Sequence, residues 1–594
     1  MRIFVAITIC LSILLQAQTM INVDNRNTTS LNGKWNIIID PYENGYYNYR
    51  YEVHESGYFK NAKQSSPSEL IEYSFETDEM LYVPGDWNSQ KEKLLFYEGT
   101  IWYKKSFDYN LSEGKRLFLY FGAVNYDAKV YLNGELLGEH KGGFTPFQFE
   151  ITDKVNAKDN FVVVKVDNKR YKDAVPTVNT DWYNYGGITR KVVLIETPKS
   201  FISDYFIQLE KGSLNKIYGW IKVDGEVKVQ KLLVEIPEAN IQIEVTTEEN
   251  GLAEFEIEKE LELWSPSNPK LYEVRISSGN EAITDLIGFR SIETKGTEIL
   301  LNGEPIYLRG ISIHEEAPYQ NGARAFSEDH AKVLLDWAKE MSCNFVRLAH
   351  YTHNEEMVKT ADKMGLLVWA EIPVYWTISW ENESTYKNAE SQLTSMITRD
   401  KNRASIIFWS MANETHLSEA RFIFLSKLVS KARELDSSRL ITAAMERHYI
   451  DDYTQMIDDP FGEVVDVLGC NAYIGWYDGL PEKCRTIKWK TVYNKPVVIS
   501  EFGGGAMFGN HGDKLERWTE EFQESLYIEN LDMFSKVDFI KGMSPWILKD
   551  FKSPRRHQPR IQDFWNVKGL ITDKGDKKKA YYILEGYYKT ISKE

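Results

Sequence analysis

From about residue 294 onward, short apolar runs alternate with amphipathic ones, and no other feature of the 594-residue chain limits its fold as tightly. Eight runs read as strands: 306–309, 344–348, 366–370, 405–411, 439–443, 465–470, 496–500 and 539–545. Between them, stretches such as 327–341, 355–364 and 420–435 carry apolar residues at helical spacing. Strands alternating with helices imply parallel βα units, and eight such units over about 300 residues predict a TIM barrel. A doubly wound sheet is the structural alternative, but no Gly-rich phosphate loop follows the first strand.

The preceding residues have a different texture. Residues 18–198 hold short strand-like runs, including 116–122, 128–132 and 160–166, separated by turn signals. Asn133-Gly134 between two apolar runs predicts a two-residue hairpin. This pattern predicts a β-sandwich, and residues 199–293 repeat it at the size of an immunoglobulin-like sandwich, with strands near 227–236, 241–246 and 272–277. The expected architecture is therefore multidomain, β followed by α/β.

Residues 1–17 read as a secretory signal: Arg2, an uncharged apolar run over 3–15, then Ala17 before the cut. The run is shorter than the ~20 residues of a spanning helix, so the expectation is export, to the periplasm or beyond, rather than an anchor. Cys10 sits inside the apolar run, not at its end, which argues against a lipoprotein. Cys343, Cys470 and Cys484 remain, too few for a disulfide framework and without metal-ligand spacing. The charge balance of −16 argues against nucleic acid as the principal partner.

In a barrel of this kind, chemistry sits where the strands end at their C-terminal side. The fourth candidate strand runs into Asn413-Glu414 and the seventh into Glu501. Two carboxylates across one pocket suit glycosidic cleavage, one protonating the leaving oxygen and the other stabilising or attacking the developing cation. Other strand ends add His314, Arg347, His350, Glu371, Asn471, Tyr473, Tyr477 and Trp546, a ring of donors, rings and charges suited to a sugar. The histidines lack HExxH spacing and no nucleophile elbow occurs, so neither a metal nor a serine hydrolase is expected.

These residues resemble family-2 glycoside hydrolases over nearly the whole chain. Val83-Pro84-Gly85-Asp86-Trp87-Asn88, Gly99-Thr100-Ile101-Trp102-Tyr103 and residues 119–147 are similar to the family's jelly-roll sugar-binding domain. Residues 264–272 resemble the close of its immunoglobulin-like domain, and residues 294–594 its catalytic barrel. Residues 408–414 look like the acid/base motif, and Ser500-Glu501-Phe502-Gly503 like the nucleophile motif. By that resemblance Glu414 is the acid/base, Glu501 is the nucleophile, and Asn413 holds the sugar 2-hydroxyl; the neighbouring negative charge of Glu501 is expected to raise the Glu414 pKa.

Within the family, Asn566-Val567-Lys568 resembles the Asn-x-Lys element by which β-glucuronidases hold the sugar carboxylate. Residues 181–188 look like the segment whose Asp181 reaches the pocket, and Tyr473 and Tyr477 fall on substrate-contacting tyrosines. The pattern departs at the arginine before Asn566, since Arg560 lies further off, and residues 373–399 are short for a lid. Residues 552–560 hold four Lys or Arg, one His and no acid, as an anionic sugar in an acidic protein requires. The resemblance implies a retaining exo-β-glucuronidase acting on a uronic-acid-terminated oligosaccharide or glucuronide, without a cofactor and with a homo-oligomer open. A β-galactosidase or another uronidase is the rival on the same fold, and a non-catalytic carbohydrate-binding protein the rival of another class.

Overall fold

The computed structural model describes residues 19–279 and 281–592, so the signal segment and Cys10 lie outside the described residues. The first unit is a jelly-roll sandwich. Its six-stranded sheet runs in the order Met80–Val83, Gly33–Ile39, Thr100–Phe107, Asn160–Asp167, Asp127–Leu132, Glu135–Lys141. A four-stranded sheet built on Lys115–Phe121 and Val192–Pro198 covers it. Alternate residues of the facing strands, such as Leu117, Leu119 and Phe121 against Val162, Val164 and Val166, form one apolar core. Asn133 and Gly134 both take positive φ (52° and 85°), the left-handed pair that closes a tight hairpin between Leu132 and Glu135. The second unit packs a three-stranded sheet against a four-stranded one that includes Ile241–Thr246 and Tyr272–Ser278.

The third unit is a closed barrel of eight parallel strands: Leu308–Ile313, Phe345–Leu348, Leu367–Glu371, Ile406–Asn413, Leu440–Met445, Leu468–Asn471, Val497–Glu501 and Ile540–Met543. Strands one to four, seven and eight are followed by α-helices, most of them started by a side-chain cap: Ser327 accepts from His330 N and Asn354 from Met357 N. Strands five and six depart from the expected alternation. A small three-stranded sheet (His448–Asp451, Thr454–Ile457 and Lys488–Thr491) and the 3-10 turns Pro460–Glu463 and Pro481–Thr486 replace the helices. Proline at the start of each turn and Gly462 within the first shorten what could propagate there.

Side chains inside the barrel change character along its axis. At the N-terminal end Leu308, Phe345, Leu367, Phe408, Leu440 and Val498 pack into an apolar plug closed by Trp264. One or two pleats further on, the positions belong to Ser312, Arg347, Glu371, Ser410 and Ser500, all buried. The sandwich docks on the polar end: Arg190 ion-pairs with Glu315, Tyr185 donates to Glu316 at 2.8 Å, and Phe144 stacks on Tyr351 with centroids 4.2 Å apart. Cys343, Cys470 and Cys484 are buried free thiols. No helix among the described residues is long and apolar enough to cross a membrane.

Candidate active site

The fourth strand loses register with the fifth between Ser410 and Asn413, and Glu414 follows with φ at 48°. A non-glycine residue there costs about 1–2 kcal/mol. Two contacts hold it: Glu414 N donates to Ala444 O at 2.9 Å, and Trp376 Nε1 donates to Glu414 Oε2 at 2.8 Å. The bulge delivers Asn413 and Glu414 in succession to the pocket, which a regular strand would send to opposite faces.

Glu501 closes the opposite side. Its Oε1 accepts from Arg347 Nη1 at 2.8 Å and its Oε2 from the Tyr473 hydroxyl at 2.6 Å. Arg347 is fully buried and also donates through Nη2 to Glu371 at 3.1 Å and to Asn413 Oδ1 at 2.7 Å. His350 Nδ1 lies 3.0 Å from Glu371 Oε1, and Trp369 Nε1 donates to Glu371 Oε2 at 3.0 Å. Burial acts to raise Glu371, but Arg347, His350 and Trp369 outweigh it and hold its pKa below the usual carboxylate value.

Burial pushes the Glu501 pKa up; the Arg347 charge opposes this and the nearby charge of Glu414 adds to it. Glu501 is the more enclosed of the two carboxyls, 4% exposed, while Glu414 is half-buried.

Asn413 Oδ1 accepts from both Arg347 and Asn471 Nδ2, the latter at 3.2 Å, which fixes the orientation of the amide. Its Nδ2 is buried without a protein partner, a donor left for something else.

A second cluster adjoins Tyr473. Lys568 is 4% exposed, its Nζ donating to the Tyr477 hydroxyl at 2.8 Å and lying 5.4 Å from the Tyr473 ring centroid. No carboxylate among the described residues forms an ion pair with it. Asn566 Oδ1 accepts from Lys568 N at 3.2 Å, and Asn566 Nδ2 approaches Asp181 Oδ2 at 3.4 Å. Asp181 comes from the first sandwich and accepts from Ser553 Oγ at 2.7 Å and from Arg556 through a two-pronged pair. Beneath this loop, Lys578 Nζ donates to Val567 O at 3.0 Å and to Asp550 at 2.8 Å. The Tyr477 ring is exposed, yet its hydroxyl faces two cations. Burial would raise its pKa, but Lys568 and Arg556 prevail and lower it.

Aromatic side chains complete the wall. Trp546 stacks on His350 at 4.7 Å, and the His314 ring meets Trp546 at 5.1 Å. Burial holds the His314 pKa well below its ordinary value; Nδ1 lies 3.2 Å from the Tyr351 hydroxyl and Nε2 has no partner. Trp182 from the sandwich lies 4.9 Å from Tyr375. Burial and then the charges of Asp181, Glu414 and Glu501 push the Tyr375 phenol well above its usual pKa.

The fourteen strand-end and motif residues singled out in the sequence thus gather at one end of the barrel, most of them joined by the contacts above. Arg560 does not: it is exposed, and Arg556, from the same basic loop, takes the place beside Asp181. Trp376 and Arg556 were not singled out. Trp376 had a usable signal, since it lies in the loop that follows the third strand end. Among the described residues no group of three His, Cys, Asp or Glu side chains could hold a metal ion.

Comparison with known proteins yields two family models, described as glycosyl hydrolases family 2, TIM barrel domain, over residues 292–593, and family 2, sugar binding domain, over residues 28–198. The β-glucuronidase of Paenibacillus borealis is 29% identical over 557 residues, covering 84% of this chain and 90% of the relative. That of Rattus norvegicus is 25% identical over 628 residues, covering 96% and 92%. Among solved structures, an uncultured Clostridium sp. β-glucuronidase superposes with TM-score 0.81 at 26% identity, over 97% of this chain and all (100%) of the other. Bifidobacterium dentium β-glucuronidase, complexed with coumarin-3-O-glucuronide, gives 0.82 at 25%, covering 96% and 99%.

Proposed function

The chain belongs to family 2 of the glycosyl hydrolases and is a glycosidase, and from this we propose that it is an exported, retaining exo-β-glucuronidase. One observation carries the sugar specificity: Lys568 is a buried ammonium without a carboxylate partner among the described residues, a few ångströms from the rings that flank Glu501. An uncompensated buried charge is costly, and a sugar carboxylate at C6 supplies the missing partner. Asn566 adds a neutral amide beside it, and Asp181 with Arg556 fixes the far side. Relatives named β-glucuronidase support the same reading.

The proposed chemistry has two displacements. Glu414, its Oε2 held by the Trp376 indole, gives a proton to the glycosidic oxygen as the bond from C1 breaks. Glu501, held as an anion by Arg347 and Tyr473, attacks C1 and forms a glycosyl-enzyme. The free Asn413 Nδ2 donates to the 2-hydroxyl, where a hydrogen bond strengthens as positive charge develops at C1. Glu414 then takes a proton from water, whose oxygen displaces Glu501. No cofactor enters. The apolar run at 3–15 supports export, which N-terminal sequencing of the mature protein would check.

A panel of 4-nitrophenyl β-glycosides tests the reading. The glucuronide should be turned over at least a hundredfold faster than the glucoside or galactoside. A galactoside rate equal to or above the glucuronide rate would move the function to the β-galactosidase rival.

A further inference from the structure

We propose that Trp376 and Arg555 form a leaving-group subsite for an acidic sugar, so that the preferred substrate is a glucuronic acid capping a carboxylated or sulfated saccharide. The inference rests on the β-glucuronidase reading and narrows it to a substrate class.

The geometry starts at the acid. A glycosidic oxygen protonated by Glu414 puts the departing sugar beside that carboxylate, and the nearest aromatic group there is Trp376, hydrogen-bonded to Glu414 Oε2 at 2.8 Å. Its side chain is half-buried, with the Tyr375 ring beside it at 4.4 Å between centroids. Arg555 lies over this indole, its Cζ 4.8 Å from the ring centroid. The Arg555 guanidinium donates to the Asn179 side-chain oxygen of the first sandwich, a neutral acceptor. No carboxylate among the described residues pairs with Arg555, whereas its neighbour Arg556 is neutralised by Asp181.

An exposed cation stacked on an aromatic ring beside the acid, without a counter-ion, is unusual furniture for a neutral leaving group. The same loop adds His557 and Arg560, neither of which forms an ion pair among the described residues, on a protein whose overall charge is −16. Guanidinium matches the planar two-oxygen face of a carboxylate and two oxygens of a sulfate equally well. The indole beneath it holds that guanidinium beside Glu414. The competing explanation is that Arg555 only packs Trp376 in place, in which case the charge of the leaving sugar is irrelevant.

Three disaccharides separate these outcomes: glucuronic acid β-linked to glucose, to 6-O-sulfated glucose, and to a second glucuronic acid. For the wild-type enzyme, kcat/KM should favour one or both charged acceptors over glucose by roughly 10- to 100-fold at low salt, mainly through KM. The preference should shrink in 0.5 M NaCl, because the contact is exposed. Arg555→Gln should cut the charged-to-neutral ratio about tenfold or more. The ratio is read within one protein sample, so a partial folding defect cancels. Whichever charged acceptor is preferred identifies the anion as sulfate or carboxylate. Equal turnover of all three, or a ratio unchanged in Arg555→Gln, overturns the subsite and leaves the β-glucuronidase reading standing. Absence of turnover of a simple 4-nitrophenyl β-glucuronide brings down that reading and this inference with it.

Discussion

Arg347 donates to Glu501 across the barrel axis at 2.8 Å, and its other terminal nitrogen reaches Asn413 and Glu371. One guanidinium thereby sets the position of the proposed nucleophile, the 2-hydroxyl donor and the carboxylate that balances its charge. Lysine keeps the charge but cannot hold three partners in one plane. Arg347→Lys should lower kcat at least a hundredfold. It should also move the acidic limb of the kcat/KM profile to higher pH, because Glu501 works as an anion and a weaker cationic partner raises its pKa further. A profile that keeps its acidic limb in place would contradict this role.

Lys568→Met should remove the partner of the sugar carboxylate. Breaking a desolvated charge pair costs roughly 3–5 kcal/mol, or about two to four decades of kcat/KM on the glucuronide. Weak turnover of the uncharged β-glucoside should change much less. If both activities fall together, Lys568 is structural and the sugar specificity has another source.

Proton NMR of the first turnovers should show the β-anomer of glucuronic acid, with the α-anomer appearing only by mutarotation. Early α-product would exclude a double displacement. In the same scheme, Glu414→Ala should lose about 10²–10⁴ in kcat/KM on substrates whose leaving group needs a proton. It should lose far less on a 2,4-dinitrophenyl glucuronide, whose leaving group departs as an anion.

Acid should loosen the protein through its buried histidines. Burial lowers both His140 and His353 to about 4. An unfolded chain takes up these protons near pH 6.5, so it binds more protons than the folded one between those values, and stability falls as pH drops from about 6.5 towards 4. Each histidine accounts for up to ~3 kcal/mol of that loss. Melting temperatures at pH 7 and pH 4.5 should therefore differ markedly, and His353→Gln should narrow the difference even where its own melting temperature at pH 7 is lower. A gap as wide as in the wild type would remove His353 from the account.

The barrel was legible because its strands are apolar and end in polar residues, a pattern that local sequence carries by itself. Glu414 and Glu501 followed from the same rule. The turns after strands five and six were less visible, since proline and glycine shorten helices without announcing what replaces them. Trp376 and Arg556 were missed for a different reason. Each acts through a partner distant in the chain, Glu414 for the first and Asp181 for the second, 375 residues away. Lys568 was found by resemblance, and only the folded chain shows that it is buried and lacks a counter-ion among the described residues. That burial raises the Glu501 pKa also depended on enclosure, which no spacing in the sequence encodes.

Asp181 belongs to the sandwich but is spent on Arg556 and Asn566, which belong to the barrel. The pocket is therefore a joint between two folding units. A barrel that has closed correctly but not yet received its sandwich lacks one wall of the sugar site, so catalysis reports assembly of the whole chain and not of the barrel alone. Excising the sandwich should not yield a smaller enzyme, and a change in the docking surface around Arg190 and Glu315 should reach the substrate without touching it.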